Sequence, residues 1–92
     1  MKLRVVWGRR AAHDVDAIAE FIAKDSNRAA NKVVRYTRKS AELLQRAPRL
    51  GRASLEGKRE LILSRYPYVL VYRIEEDEVR ILAVFHQSQD RP

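Results

Sequence analysis

Residues 58–86 read Lys58-Arg59-Glu60-Leu61-Ile62-Leu63-Ser64-Arg65-Tyr66-Pro67-Tyr68-Val69-Leu70-Val71-Tyr72-Arg73-Ile74-Glu75-Glu76-Asp77-Glu78-Val79-Arg80-Ile81-Leu82-Ala83-Val84-Phe85-His86, and this stretch decides the fold. Three runs rich in β-branched, leucine and aromatic residues, 59–64, 68–74 and 79–85, are separated only by Arg65-Tyr66-Pro67 and by Glu75-Glu76-Asp77-Glu78. Connections that short join antiparallel neighbours, so the segment predicts a three-strand meander. Upstream lies a loop, Arg49-Leu50-Gly51-Arg52-Ala53-Ser54-Leu55-Glu56-Gly57, with Pro48 before it.

Before the loop the apolar period changes from two to about 3.6 residues. Ala11, Val15, Ile18, Ala19 and Ile22 recur at helical spacing up to about Lys24, with Asp14, Asp16 and Glu20 toward water. Asp25-Ser26-Asn27 turns the chain into a second helix, for which Ser26 or Asn27 can cap the start and Pro48 stops the end. On that helix Ala30, Val33, Val34, Thr37, Ala41 and Leu44 form the core-facing stripe, and Arg28, Lys32, Arg35, Lys39, Glu42 and Arg46 form the outward one. Residues 2–7 alternate before ending in Val5-Val6-Trp7 and predict an opening strand. The order β-α-α-β-β-β predicts one α+β domain over residues 1–92, with a helical hairpin on one face of a mainly antiparallel sheet.

Composition narrows the function. The 92-residue chain lacks cysteine, which excludes a disulfide framework and a thiolate zinc site and fits a reducing cytoplasm. No apolar run approaches the roughly 20 residues of a membrane span, and no signal-peptide core opens the chain, so a soluble protein with no membrane partner is expected. The net charge is +7, and the segment from Arg28 to Arg52 carries all of it: eight basic residues against the single acid Glu42. Such a stripe is either a solvated helix face or a surface for an acidic partner. Tyr36, on its flank, is the one aromatic beside it, so the sequence does not support base-stacking recognition of single-stranded nucleic acid.

Signatures of cofactor chemistry are missing. His13 with Asp16 has i, i+3 spacing but too few ligands for a metal, and glycines 8, 51 and 57 build neither a phosphate loop nor a dinucleotide fingerprint, so neither metal nor cofactor is expected. His86, where the last strand gives way to a polar tail, could serve as general acid or base, with Lys58, Arg59 and Arg65 on neighbouring strands. A metal-independent ribonuclease could be assembled from Arg59, Arg65 and His86; the structural alternative is a strand-end histidine with a local hydrogen bond. Tyr72 reads as core, and Tyr66-Pro67-Tyr68 as a turn.

In order and spacing the chain resembles the RelE/ParE superfamily of bacterial type II toxins, most closely the ParE branch. The resemblance runs from the strand ending at Trp7, through the helix with Ala11, Asp14, Ile18 and Ile22 and the basic helix before Pro48 and Gly51. It continues through Lys58-Arg59-Glu60-Leu61 and Tyr68–Arg73 to Val79–His86 and Asp90. Membership implies a partner antitoxin, ribbon-helix-helix and ParD-like, whose acidic or amphipathic segment folds onto the toxin in a hetero-oligomer. Arg28, Lys32, Arg35 and Lys39 are the candidate contacts for it. The RelE branch cuts messenger RNA on the ribosome, whereas the ParE branch is associated with inhibiting DNA gyrase. RelE-type nucleases resemble this chain in a basic residue at Lys58. They carry further cations where this chain has Glu60, Val69 and Gln89, and a catalytic tyrosine beyond the position of Pro92. The resemblance therefore implies a ParE-like gyrase inhibitor with no catalytic residues, touching its target through Lys58, Arg59, His86 and Arg91, with a ribosome-dependent ribonuclease as the alternative.

Overall fold

A computed structural model describes residues 2–88. Strand β1 (Arg4–Trp7) leads into helix α1 (Arg9–Ala23), followed by α2 (Asn27–Leu43), β2 (Arg52–Ala53), β3 (Lys58–Ile62), β4 (Tyr68–Glu75) and β5 (Glu78–His86). The sheet runs β1-β5-β4-β3-β2, and only the β1–β5 pair is parallel. The helical hairpin on a mainly antiparallel sheet is therefore as the sequence predicts.

Each helix forms for a legible reason. Ser26 is the N-cap of α2: its Oγ accepts from the Ala29 amide at 3.0 Å, satisfying a donor that has no partner within the helix. The apolar stripes of both helices meet the sheet in one cluster containing Ala11, Val15, Ala41, Leu44, Leu70, Tyr72, Val79, Ile81 and Val84. Leu44, Leu70 and Ile81 are fully buried, and each such side chain is worth about 1.5–3 kcal/mol.

A register shift between Val71 and Tyr72 pairs Val71 with Ala83 but Tyr72 with Ile81, so Leu82 is the extra residue of a bulge. The Val84 amide beyond it donates to Asp14 Oδ2 at 3.0 Å, so a carboxylate from α1 caps the irregular ladder. Glu78, nearly buried, forms an ion pair with Arg80 at 2.8 Å and accepts from Arg4 at 3.4 Å, tying β1 to the end of the β4–β5 hairpin.

The sequence boundaries need four corrections. The expected loop 49–57 contains β2 and a 3-10 turn at Leu55–Gly57, because Ser54 donates its amide to Lys58 O and closes a small hairpin, with Glu56 and Gly57 at positive φ. Helix α2 ends at Leu43 rather than running to Pro48; Leu44, Gln45 and Arg46 continue in tighter turns through i→i+3 bonds. Strand β3 stops at Ile62, where Tyr68 closes back on Leu63 and Pro67 sits in a three-residue turn. The opening strand starts at Arg4, two residues later than expected.

Candidate functional site

Three surfaces carry the predicted functional side chains. The first is the outer face of α2. Arg28, Lys32, Arg35 and Lys39 are all exposed, and among the described residues none of the four lies within ion-pair distance of a carboxylate. A shallow groove lined by Val34, Arg35, Arg38 and Lys39 runs into a second one lined by Leu43, Arg46, Ala47 and Leu50. Leu43 is 59% exposed and Leu50 54%, so the basic stripe ends in an uncovered apolar step. The sequence marked the cations but placed Leu43 on neither stripe and left Leu50 in a loop.

The second surface is the sheet face away from the helices. Alternation along β3 sends Lys58, Glu60 and Ile62 to this side, where Val71, Ala83 and Phe85 join them from β4 and β5. A cavity of about 240 Å³ opens there, with Arg10 and Leu55 on its wall. The Glu60 carboxylate is buried at its base, accepting the Ser54 hydroxyl at 3.1 Å and pairing with Arg52 at 3.5 Å. Lys58 Nζ lies 3.8 Å from Glu56. Val69, paired with Ile62, faces the same way, so Glu60 and Val69, two of the positions that distinguish RelE-type nucleases, share this face with Lys58.

Arg59 points to the opposite side. Its Nη1 donates to Gly51 O at 2.6 Å, beside the Tyr72 hydroxyl that donates to Pro48 O at 2.6 Å and accepts from Gly51 N at 2.9 Å. Burial raises the Tyr72 pKa, against the lowering pull of the Gly51 N–H and of Arg59.

The third surface is the β3–β4 turn. Tyr36 of α2 shares a 2.7 Å hydrogen bond with the Ser64 hydroxyl, meets Tyr66 edge to face at 5.3 Å, and lies under the Arg65 guanidinium at 5.7 Å. The Ser64 hydroxyl, foremost, and backbone donors with Arg65 behind it hold the Tyr36 phenol below its ordinary pKa. Around the corner, the His86 ring packs on Tyr68 at 5.5 Å and its Nδ1 accepts the Ser88 amide at 3.1 Å. That bond needs an unprotonated Nδ1 and matches the structural reading of a strand-end histidine. The turn and the strand end touch where Gln87 N donates to Pro67 O at 2.8 Å.

The structure thus separates residues that the ribonuclease reading groups together. Arg59 is opposite Tyr72 and His86 is opposite Tyr68, four residues apart on β4, or about 13 Å along the sheet. Arg65 lies over the Tyr36 ring at 5.7 Å, and Arg91 lies outside the described residues. Among the described residues no three His, Cys, Asp or Glu side chains gather as metal ligands. No described helix is long and apolar enough to cross a membrane. What the sequence reading missed is the meeting of Tyr36 with Arg65 and Tyr66, thirty residues away; the short turn at Pro67 was the available signal.

Comparisons with known proteins place this arrangement. A family profile described as "ParE toxin of type II toxin-antitoxin system, parDE" matches residues 5–91. Y4kP of Sinorhizobium fredii, whose name designates it a candidate toxin, is 38% identical over 90 residues, covering 97% of this chain and 93% of its own. Toxin RelE2 of Caulobacter vibrioides is 31% identical over 86 residues, covering 94% and 97%. Among solved structures, a chain of the chromosomal ParDE toxin–antitoxin system from P. aeruginosa superposes with a TM-score of 0.81 at 27% identity, over 92% of this chain and 96% of that one. The match spans the basic helix, the sheet cavity and the last strand alike, and the chain belongs to the ParE toxin family of type II toxin–antitoxin systems.

Proposed function

We propose that this toxin is a ParE-like inhibitor of DNA gyrase that acts by binding, has no nuclease centre of its own, and is neutralised by a ParD-like ribbon-helix-helix antitoxin. The observation that carries the reading is Glu60. A nuclease on this fold needs cations on the open sheet face to hold the charge of a phosphorane, and here that face has a buried carboxylate at its base, already engaged by Arg52 and Ser54. Moving a phosphodiester against that carboxylate costs Coulombic repulsion in a poorly solvated site. The separation of Arg59 from His86 supports the same reading, since an acid or base must come within hydrogen-bond reach of the reacting oxygen.

Of the target-facing candidates, Lys58 opens onto the sheet cavity and His86 ends β5, two strands away, while Arg59 is held by the Gly51 carbonyl. Lys58 and His86 are therefore the target contacts favoured here. The antitoxin reading rests on the α2 face. Unpaired cations followed by exposed Leu43 and Leu50 suit an acidic segment that folds on binding and needs apolar burial to offset its ordering cost. The ParDE likeness supports a ParD-like partner.

The ribonuclease alternative draws on the 31% identity to RelE2 and on the contact between the turn carrying Arg65 and the end of β5. One pair of assays separates the two. Purified toxin should abolish supercoiling of relaxed plasmid by gyrase, should leave translated mRNA uncut, and should lose its effect when antitoxin is added. Intact supercoiling at high toxin concentration, together with codon-position cuts that vanish in His86→Ala, would overturn the proposal.

A further inference from the structure

The fold assembles an aromatic and guanidinium cluster on the very flank of α2 where the sequence offers a lone tyrosine. Arg65 covers the ring of Tyr36 at 5.7 Å, Tyr66 meets Tyr36 edge to face at 5.3 Å, and the 2.7 Å bond between Tyr36 and Ser64 fixes the tyrosine against the turn. Lys32, four residues before Tyr36, and Lys39, three after it, neighbour it on the helix surface, and Arg28 extends the column by one more turn. Among the described residues no carboxylate pairs with any of these cations.

We propose that Tyr36, Arg65 and Tyr66, with Arg28 and Lys32 beside them, form a docking surface for single-stranded nucleic acid. Planar groups on a basic surface are what unpaired bases use: a base can lie on the Arg65 guanidinium or on the Tyr66 ring, while the lysine and arginine column follows the phosphates. A duplex keeps its bases stacked on each other and can use only the cations. An acidic protein segment can pair its carboxylates with Arg65 as with the other cations, but it has no base to lay on the rings and needs aliphatic contacts. Those are supplied by Leu43 and Leu50, seven residues or more further along, about 10 Å down the helix axis at Leu43. One helix thus serves two polyanions that share its cations, the antitoxin segment reaching on to Leu43 and Leu50 and the nucleic acid held between Arg28 and the Tyr36 cluster. The nucleic-acid surface rests on the cluster alone, independent of the toxin's target.

The test measures anisotropy of a labelled short oligothymidylate with the full-length chain. Single strands should bind at least about 5-fold more tightly than a duplex of equal length. Tyr66→Ala and Arg65→Ala should each weaken binding about 10-fold, and Lys32→Ala should lower the salt slope by about 0.7. Equal affinity for duplex, unchanged binding by both cluster variants, or displacement of the oligonucleotide by poly-glutamate of the same charge at lower concentration would each overturn the assignment. Nuclear magnetic resonance of the unmutated protein gives a readout independent of variant folding. The ring signals of Tyr36 and Tyr66 should move on addition of the oligonucleotide, and shifts confined to other residues would refute the surface.

Discussion

The Tyr72 hydroxyl donates to the carbonyl oxygen of Pro48 at 2.6 Å, so a strand at the centre of the sheet holds the segment that leaves α2. The Tyr72 hydroxyl oxygen in turn accepts the Gly51 amide at 2.9 Å, and a Cβ on Gly51 would stand 2.8 Å from both the Tyr72 ring and Glu60 O. Tyr72→Phe leaves two backbone groups without their partner and should cost about 1–3 kcal/mol in urea unfolding. Gly51→Ala should destabilise as well, because both close contacts are to buried, inflexible atoms.

Alkaline pH should unfold the protein through the same residue. Burial raises the pKa of Tyr72 and of Tyr68 above the ordinary 10.0, so the native state holds those protons more tightly than the unfolded chain does. Their contribution is fully present below the unfolded value and is lost as pH climbs through the folded ones. The melting temperature should fall steadily once pH passes about 10, and less steeply in Tyr72→Phe.

Asp14 should matter more than its place on a solvated helix implies. It satisfies the Val84 amide at the β4–β5 bulge, and hydrogen bonds to charged groups are worth about 1.5–3 kcal/mol. Asp14→Ala should lower stability by that order, while Asp16→Ala, on the exposed side of the same helix, should change it by less than about 0.5 kcal/mol.

Tyr36 should ionise first among the tyrosines whose environment shifts them, because the Ser64 hydroxyl favours its phenolate. Ultraviolet titration should show a step below the ordinary tyrosine range that disappears in Tyr36→Phe and moves upward in Ser64→Ala.

Reversing Arg28, Lys32, Arg35 and Lys39 to Glu should slow antitoxin association by tenfold or more at low salt, with the difference shrinking as salt screens the field. An unchanged on-rate in stopped flow would show the stripe to be merely solvated.

The fold was legible because its signals are local. Alternation across 68–74 and 79–85, the helical spacing of Ala11 to Ile22 and the Ser26 cap each need only a few neighbours to be read. What escaped depends on distant partners. Strand β2 is two residues long and exists because Arg52 and Ala53 find Glu60 and Arg59. For the site, the cations of α2 were visible as a stripe, but the opposite facing of Arg59 and Glu60 follows from strand alternation that needed the boundary of β3 first. The grouping of Arg65 with Tyr36 depended on how tightly Pro67 folds the turn, which no periodicity reports.

The parallel pairing of β1 with β5 sets Arg4 beside Glu78, and the Arg4 amide donates to Asp77 O. During synthesis the first strand has nowhere to dock until more than seventy further residues have left the ribosome. The helical hairpin can form early from local contacts, whereas the sheet stays open along β1 until Glu78–His86 has emerged. A chain built this way carries its first strand unpaired until Glu78 and the residues after it have emerged, and a nascent chain cut short before Glu78 cannot close its fold.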